Sequence, residues 1–417
     1  MTLIHKVVLL LLLISSVALL ILFTFNFFQR MKTQKNETLR WLLDNSPVIN
    51  NNNFVNTNAL NARVFPITFI SAELENAGSS GVLRSNCQVY LSSYFSFNSI
   101  GRILPTFIGD ERYKHVYDHG KRNLILQKFL QSSASDYIGE EDLIFFSDGM
   151  DVMFYDDLQR AAYVYVKYLR EEGIDVERDR DMDWPLLFNA EKNRHPPPYE
   201  LKNYIKNMDV KLVISTYVNR ENYPKKSYCH PQSTFKFLNS GMYIGRKRDI
   251  KSYIFKIFHH VVINPTNIHN DDQGIAHYVY ISKSFYPIAV DCNTTLGLPT
   301  FEACESFTFD QRTGKCQISS PLNKERPIAV HSVGKGCPQF CPCLKSIIDS
   351  GLLQFNIQRA IHSHGYSNEK ELKKEFGVVV YNSDYDTIRI QSVLDFCGKD
   401  ILFNIPKHRC VFKAYQI

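Results

Sequence analysis

The sequence predicts an α/β fold, in which the strands of one sheet alternate along the chain with helices. Short apolar runs rich in branched and aromatic residues recur between polar residues, as strands buried on both faces do. Segments with helical spacing separate several of these runs. This alternation favours a layered α/β domain over an all-β or an all-helical one.

The elements are expected in the following order. A first strand at Val64–Ile70 precedes a helix at Asn123–Leu130, and the apolar run at Asp142–Phe146 forms a buried strand. Further helices are expected at Asp157–Arg170 and Gly274–Ile281. The remaining strands are expected at Leu186–Phe188, Lys211–Thr216, Phe235–Leu238, Met242–Ile244, Ile288–Val290, Ile328–Val330, Phe376–Tyr381 and Thr387–Val393. The last two leave open whether the C-terminal region is a small subdomain or a wrap on the same core.

The overall composition is that of a globular protein with a sizeable core. Of the 417 residues, 44% are hydrophobic and 22% are charged, and the formal net charge is +6. Lysine and arginine form no dense basic stripe interleaved with aromatic residues, so nucleic-acid binders are excluded as a class and no nucleic-acid partner is expected.

An apolar segment near the N-terminus predicts a membrane anchor. Residues 7–28 are apolar except for Ser15, Ser16, Thr24 and Asn26, and this is about the length that a helix needs to cross a bilayer. A cleaved signal peptide is disfavoured, because the run is long and no small-residue cleavage site follows it.

Two kinds of signal disagree about the side of the membrane on which the rest of the chain lies. The positive-inside rule favours the cytosol, because basic residues follow the segment at Arg30, Lys32, Lys35 and Arg40. The ten cysteines favour the lumen, because all of them follow the segment and an even number is compatible with disulfide bonds in an oxidising compartment. The sequons at Asn36 and Asn293 would be glycosylated only there. We therefore expect a single-pass type II membrane protein that faces the lumen of the endoplasmic reticulum or Golgi.

The chain is expected to divide into five parts. Residues 1–6 form a short cytoplasmic tail, residues 7–28 the anchor, and residues 29–61 an asparagine-rich, flexible stem. Residues 62–345 form the α/β domain, and residues 346–417 form a C-terminal extension or small subdomain.

The first candidate site lies in residues 141–154, which read EDLIFFSDGMDVMF. A buried strand ends here, and Asp148 and Asp151 are separated by a glycine-containing turn. Ligands of open α/β sheets bind at the carboxyl ends of strands. Two carboxylates at this spacing suit Mn²⁺ or Mg²⁺, which in turn bridges phosphate oxygens. The alternative is a solvated turn in which Asp148 caps a helix.

Three further segments add polar groups at the ends of apolar runs. In FKFLNSGMYIG, a tight turn at residues 239–241 between two strands is suited to hold sugar hydroxyls. Asp271 and Asp272 lie at the start of a predicted helix. One interpretation is that their charges only stabilise the helix dipole. The other is that they act as an acid or base, or bind hydroxyls of the donor sugar. His331 follows an apolar strand as Asp148 does, so its imidazole is suited to complete a cation site, with Lys335 nearby to pair with a diphosphate.

The motifs SDGMDV, LLFNAE, FLNSGMYIG, NDDQ and VHSVGKG together resemble the glycosyltransferase domain of the procollagen lysyl hydroxylases, the collagen glycosyltransferases, in order and approximate spacing. They are similar, more distantly, to glycogenin-like retaining transferases. The resemblance covers roughly Val64 to Lys335 and implies a GT-A fold, a Rossmann-like sheet that binds a UDP-sugar with manganese.

The resemblance also implies an activity and an acceptor. It implies transfer of a hexose, glucose or galactose, from a UDP-sugar to a hydroxyl of a protein or glycan. Hydroxylysine or galactosyl-hydroxylysine of collagen-like proteins is the implied acceptor. We expect a stand-alone, membrane-anchored member, in which no hydroxylase domain follows Ile417.

Individual residues receive roles from the same resemblance. Asp148, Asp151 and His331 are the implied metal ligands, and Asp271 and Asp272 are the implied acidic pair near the donor sugar and the acceptor. The implied contacts of the nucleotide-sugar and its metal are Lys121, Asp148, Met150, Glu191, Asn239, Gly241, Gly334 and Lys335.

The chain departs from the family pattern in three places. Met150 stands where the family has an aromatic residue between its aspartates, and Arg194 and His195 follow the Ala-Glu pair where the family has a tryptophan. Lys335 lies earlier than the family lysine. These departures leave open a catalytically inactive, lectin-like or scaffold protein with the same fold. A metal-dependent hydrolase is a further alternative, without particular support from the motifs.

Overall fold

The structure, a computed structural model, describes the greater part of the chain between residues 62 and 398 and scattered positions before it. The described residues are 15–17, 20, 22, 24, 29, 35, 37–40, 42, 62–69, 86–98, 103–109, 119–149, 151–193, 195, 223–261, 272–283, 286–301, 303–310, 315–332, 337–349, 373 and 376–398.

The strands form one large sheet and two small ones. In chain order they are β1 (Val64–Phe69), β2 (Thr106–Gly109), β3 (Leu143–Asp148), β4 (Val152–Phe154), β5 (Leu186–Glu191), β6 (Phe237–Arg246), β7 (Ile288–Asp291), β8 (Gly297–Pro299), β9 (Phe307–Asp310), β10 (Lys315–Ile318), β11 (Ala329–His331), β12 (Gly377–Asn382) and β13 (Thr387–Ser392). The large sheet has the order β13-β12-β2-β1-β3-β6-β5-β7, and the small sheets are β4-β11-β8 and β10-β9. In the large sheet, β6 is antiparallel to both of its neighbours and β13 to β12, while the other pairs are parallel.

Seven α-helices have described bounds. They are α1 (Ser92–Phe97), α2 (His119–Gln131), α3 (Arg160–Glu171), α4 (Lys247–Lys256), α5 (Asp272–Ser282), α6 (Phe340–Asp349) and α7 (Val393–Cys397). Short π-helical turns lie at Asn86–Leu91 and Ile257–Val261, and 3₁₀ turns at Ser133–Ser135 and Cys304–Ser306.

Alternating side chains of the central strands place one hydrophobic core on each face of the sheet. In β3, Ile144 and Phe146 belong to one buried cluster, and Leu143 and Phe145 belong to the other. Residues of α2, α4 and α5 cover the first face, and residues of α1 and α3 cover the second. The predicted α/β fold is therefore confirmed as three layers, with the sheet in the middle.

Most predicted elements are present, with one informative error. The segments Phe235–Leu238 and Met242–Ile244 were expected as two strands joined by a turn, but one strand, β6, runs from Phe237 through both of them. This expectation was wrong because the strand continues through residues 240–242, which form a bulge opposite β5. The predicted strand Lys211–Thr216 lies outside the described residues.

The C-terminal strands belong to the large sheet. β12 pairs in parallel with β2, so that Val379 lies beside Thr106, and β13 forms the edge. A disulfide between Cys87 and Cys397 ties α7 to the π-helical turn before α1. Of the two arrangements considered for this region, residues 377–397 show a wrap on the same core.

Disulfides close several loops of the domain. Besides the bond just described, the pairs in which both cysteines are described are Cys229–Cys292, Cys304–Cys337 and Cys316–Cys343. No cysteine among the described residues is free. The expectation that the cysteines form disulfides is confirmed, and such bonds persist where conditions are oxidising.

The prediction of a single-pass type II membrane protein is wrong on the structure. Among the described residues, no helix is long and apolar enough to cross a membrane. A spanning helix needs about 20 consecutive apolar residues, whereas the longest helix with described bounds, α2, has 13. The segment predicted as the anchor, residues 7–28, lies largely outside the described residues.

Part of the predicted stem packs against the domain. The described residues between 35 and 42 are helical, and Leu39 and Leu42 are buried in the same cluster as the core of the first face. The ammonium of Lys35 lies 2.5 Å from a carboxylate oxygen of Asp386, in the turn between β12 and β13. These residues are thus a docked element, whereas a flexible tether was expected.

Candidate metal centre

Asp148 is the last residue of β3 and lies at the carboxyl end of the large sheet. Parallel pairing with β1 places Phe69 beside it. β4 begins one residue after Asp151, whose carbonyl accepts a hydrogen bond from the Ser332 N–H at 2.8 Å. The turn between the two aspartates therefore carries the chain from the large sheet to a small one.

His331 is the last residue of β11, the middle strand of that small sheet. β11 is antiparallel to β4 and parallel to β8, so that His331 lies between Val152 and Pro299. Because β4 starts directly after Asp151, this register brings His331 to the aspartate turn from a distant part of the sequence.

The three predicted ligands converge. Nε2 of His331 lies 3.4 Å from Oδ1 of Asp151 and 3.6 Å from Oδ2 of Asp148. One ligand atom from each residue lies within 4.8 Å of the other two. The His331 side chain is only 4% exposed, whereas the two aspartate side chains are 26% and 28% exposed. The imidazole is therefore buried on the protein side of the centre, whereas the two carboxylates are partly exposed to solvent.

These three side chains fit a divalent cation of the manganese type. Two carboxylate oxygens and one imidazole nitrogen leave coordination positions for water or phosphate oxygens. Nδ1 of His331 has no hydrogen-bond partner among the described residues, and Nε2 is the nitrogen that faces both acids. A cation bound through Nε2 would leave the ring proton on Nδ1.

Gly241 lies directly against this centre. A Cβ atom on Gly241 would stand 2.2 Å from Cε1 and 2.8 Å from Nδ1 of His331, and 2.9 Å from Oδ2 of Asp148. Only a residue without a side chain fits here, because atoms in contact stay about 3.5 Å apart. The sequence selected Gly241 as part of the donor pocket, and the structure places its backbone beside two of the three predicted ligands.

Arg122, which the sequence did not single out, joins the centre to the helix that carries Asp272. Its guanidinium on α2 pairs with Asp148 and also lies 3.1 Å from Oδ1 of Asp272. The side chains of Arg122 and Asp272 are 9% and 7% exposed, so this pair is largely withdrawn from water. Sequence reasoning selected the neighbouring Lys121 and did not predict that Arg122 contacts the two acids.

The charge of Asp272 also affects the pKa of two buried tyrosines, Tyr243 and Tyr253. Burial raises the pKa of Tyr243 well above its usual range, the Asp272 carboxylate adds to the increase, and Arg122 opposes it. Burial followed by the Asp272 charge likewise raises the pKa of Tyr253. Both phenols are buried in the core and therefore stay neutral.

Glu191 is held inside the protein by Gln273, the residue after Asp272. Nε2 of Gln273 donates to Oε1 of Glu191 at 2.7 Å and to the carbonyl of His195 at 2.8 Å. Oε1 of Gln273 accepts from the Ser240 N–H at 3.2 Å. Glu191, predicted as a donor contact, is only 1% exposed and engaged with the protein itself.

The side chains of the remaining predicted site residues are not described by the structure. Asp271, Met150, Gly334 and Lys335 lie outside the described residues. Lys121 lies in the first turn of α2, and its side chain is not among those described. Of the two acids at the start of α5, the structure therefore places Asp272 alone.

Comparisons with known proteins give structural likenesses only. No protein-family model and no curated protein matches the chain. The chain is similar to the apo structure of WbbM, a bifunctional glycosyltransferase, with 8% identity and a TM-score of 0.36 over 73% of this chain and 53% of that one. It is also similar to the galactosyltransferase LgtC in complex with donor and acceptor sugar analogues, with 11% identity and a TM-score of 0.34 over 70% of this chain and 95% of that one.

The chain spans about half the length of WbbM. At these identities and TM-scores neither likeness assigns a family. The functional argument therefore rests on the residues of the site.

Proposed function

We propose that this chain is a metal-dependent glycosyltransferase of the GT-A type, which transfers a hexose from a UDP-sugar to a hydroxyl acceptor. The observation that carries the proposal is the convergence of Asp148, Asp151 and His331 at the carboxyl end of β3. That edge is where open α/β sheets bind their ligands. A hard, partly open site of two carboxylates and an imidazole suits Mn²⁺, or Mg²⁺, together with a diphosphate.

The proposed mechanism is electrostatic. A bound cation would neutralise the negative charge that develops on the UDP leaving group. Asp148, Asp151 and Nε2 of His331 would hold it, and Arg122, already beside Asp148, places a fixed positive charge at the same edge. Groups that are already oriented before the reaction stabilise a developing charge with little reorganisation.

The donor sugar is proposed to lie between the metal centre and the start of α5. We assign Asn239 and Gly241 of β6 to this donor pocket, with Asp272, whose Oδ1 lies 3.1 Å from the Arg122 guanidinium, at its other side. We assign Asp272 and Asp271 to orientation of the sugar or activation of the acceptor. Lys121, Met150, Gly334 and Lys335 remain proposed donor contacts, and Glu191 acts by holding Gln273 in place.

The proposed identity of the substrates rests on the resemblance of the sequence motifs to the collagen glycosyltransferases. Glucose or galactose is the proposed hexose, and hydroxylysine or galactosyl-hydroxylysine of a collagen-like protein is the proposed acceptor. Transfer to such a hydroxyl depends on holding the two reactants close together and correctly oriented, because positioning supplies much of the rate.

The experiment supplies the purified protein with Mn²⁺ and a panel of UDP-sugars and measures UDP release with and without hydroxylysine-bearing collagen peptides. Release that depends on Mn²⁺ and is lost in Asp148→Asn and Asp151→Asn is the expected result. A protein that binds UDP-sugar but never releases UDP would be the inactive, lectin-like alternative. Absence of UDP-sugar binding in calorimetry would refute the proposal.

A further inference from the structure

Strand β6 contains a bulge opposite Asn189 of β5. Up to Phe188 the pairing is regular, with Phe188 beside Tyr243. The next residue, Asn189, lies beside Asn239, so that residues 240–242 have no partner on β5. A bulge of this kind bends the strand and redirects its side chains, and bulges are frequent next to active sites.

Three side chains satisfy the backbone groups that the bulge removes from the ladder. The Asn189 carboxamide faces carbonyl oxygens, which assigns its nitrogen to that side; so oriented, the nitrogen donates to the carbonyls of Asn239 at 2.8 Å and Met242 at 3.2 Å. The Ser240 N–H donates to Gln273 Oε1 at 3.2 Å, and the Gly241 N–H donates to the Asn239 side-chain oxygen at 2.9 Å. Because buried backbone groups require partners, this set of side chains fixes the bulge in one conformation.

Asn189 is the member of this set that spans the bulge. It is fully buried, and its nitrogen also lies 3.1 Å from the side-chain oxygen of Asn239. It therefore binds both ends of the bulge, at Asn239 and at Met242, and orients the oxygen that receives the Gly241 N–H.

The bulge matters to the metal centre because Gly241 lies within it. The Gly241 backbone stands so close to His331 and Asp148 that a single added carbon would overlap the imidazole. A small change in the path of residues 240–242 therefore moves the surface against which both predicted ligands rest.

We propose that Asn189 is a positioning residue for the metal centre: its buried carboxamide holds the bulge that presses Gly241 against His331 and Asp148. This inference rests on the proposed metal site. Asn189 touches neither cation nor substrate, and it acts through the backbone of β6. Loss of its two carbonyl contacts would free Gly241 to move, and supporting groups of this kind change metal affinity by about 10–100-fold when they are altered.

The test measures Mn²⁺ affinity by calorimetry in the wild type and in Asn189→Asp and Asn189→Ser. Asp has the shape of Asn, but it replaces the donating nitrogen with an oxygen that faces the two carbonyls. Ser is smaller than Asn and removes the carboxamide without adding bulk. Each variant is checked for cooperative unfolding in EDTA. The control is Tyr165→Phe, which removes a buried hydrogen bond of 2.9 Å to the Pro185 carbonyl away from the centre.

We expect folded Asn189→Asp and Asn189→Ser to bind Mn²⁺ at least about 10-fold more weakly, and Tyr165→Phe to bind it as the wild type does. If Asn189→Asp does not fold, Asn189→Ser alone decides the outcome. Wild-type affinity in a folded Asn189 variant, or an equal loss in Tyr165→Phe, would overturn the proposal. A wild type that binds no Mn²⁺ would instead refute the proposed metal site.

Discussion

Replacing Gly241 with alanine would place a methyl carbon inside the metal centre. That carbon would stand 2.2 Å from Cε1 of His331, 2.8 Å from Nδ1 of the same ring and 2.9 Å from Oδ2 of Asp148. Carbon atoms in contact prefer about 3.5–4.0 Å, so the ring must retreat by more than about 1 Å. His331 is buried, and its ring can move that far only by disturbing its neighbours.

The displacement is large on the scale of metal coordination. Ligand distances in protein metal sites hold to within about 0.2 Å, so a retreat of the imidazole by about 1 Å removes it as a ligand. We expect Gly241→Ala to lower Mn²⁺ affinity at least about 10-fold. Overpacking of this kind also costs about 1–3 kcal/mol of stability. Calorimetric titration with Mn²⁺ gives the first quantity, and urea denaturation in EDTA gives the second.

Gly245→Ala is the matched control. Gly245 lies in the same strand, and a Cβ there would stand 2.3 Å from Cδ2 of Leu186, in the apolar core. It should cost a similar amount of stability and leave Mn²⁺ affinity unchanged. Wild-type Mn²⁺ affinity in Gly241→Ala would refute the reasoning, as would an equal loss in Gly245→Ala.

Two further predictions concern stability and are checked by urea denaturation. Arg122→Met leaves the buried carboxylate of Asp272 without its recorded ion pair and should destabilise the fold by about 3 kcal/mol, since breaking a buried pair leaves an uncompensated charge. A loss below about 1 kcal/mol would show that water reaches Asp272. Leu39→Ala should cost about 2–3 kcal/mol because Leu39 is buried in the core. Lys35→Ala should cost under about 1 kcal/mol because its partner Asp386 is exposed. A larger loss of stability in Lys35→Ala than in Leu39→Ala would contradict the packing of this segment against the core.

The three proposed metal ligands could be selected from the sequence because each occupies a recognisable position. Asp148 and His331 follow short buried runs, and strands end where their apolar residues end. Asp151 lies one turn beyond the first of these ends. The pairing of β4 with β11 was not predicted, yet it is this pairing that brings His331 to the aspartates.

The segment from Asn239 to Gly241 was wrongly predicted as a turn because its residue types are found both in turns and in strand bulges. Asn, Ser and Gly together are typical of a tight turn, but Gly within an apolar strand pattern also marks a bulge or a close backbone approach. The choice depends on Asn189 and Gln273, which supply the missing hydrogen bonds from distant parts of the chain. Local composition carries no information about such partners.

Other features depend on contacts that no local pattern encodes. Arg122 contacts Asp148 and Asp272 through the packing of α2, and its place beside Lys121 in the sequence does not reveal these contacts. Ten cysteines allow many disulfide pairings, so the observed ones could not be deduced from spacing. Leu39 and Leu42 lie in a polar, asparagine-rich stretch, where two apolar residues are too few to predict a docked helix.

The most direct measurement of the central claim is anomalous diffraction from crystals soaked in Mn²⁺, recorded on both sides of the manganese absorption edge. We predict a peak bonded to Asp148, Asp151 and Nε2 of His331, with metal–ligand distances of about 2.0–2.4 Å. Crystals of Asp151→Asn should show the peak weakened or absent under the same soak. A wild-type crystal without a peak at these residues, or with its ordered manganese elsewhere, would contradict the account.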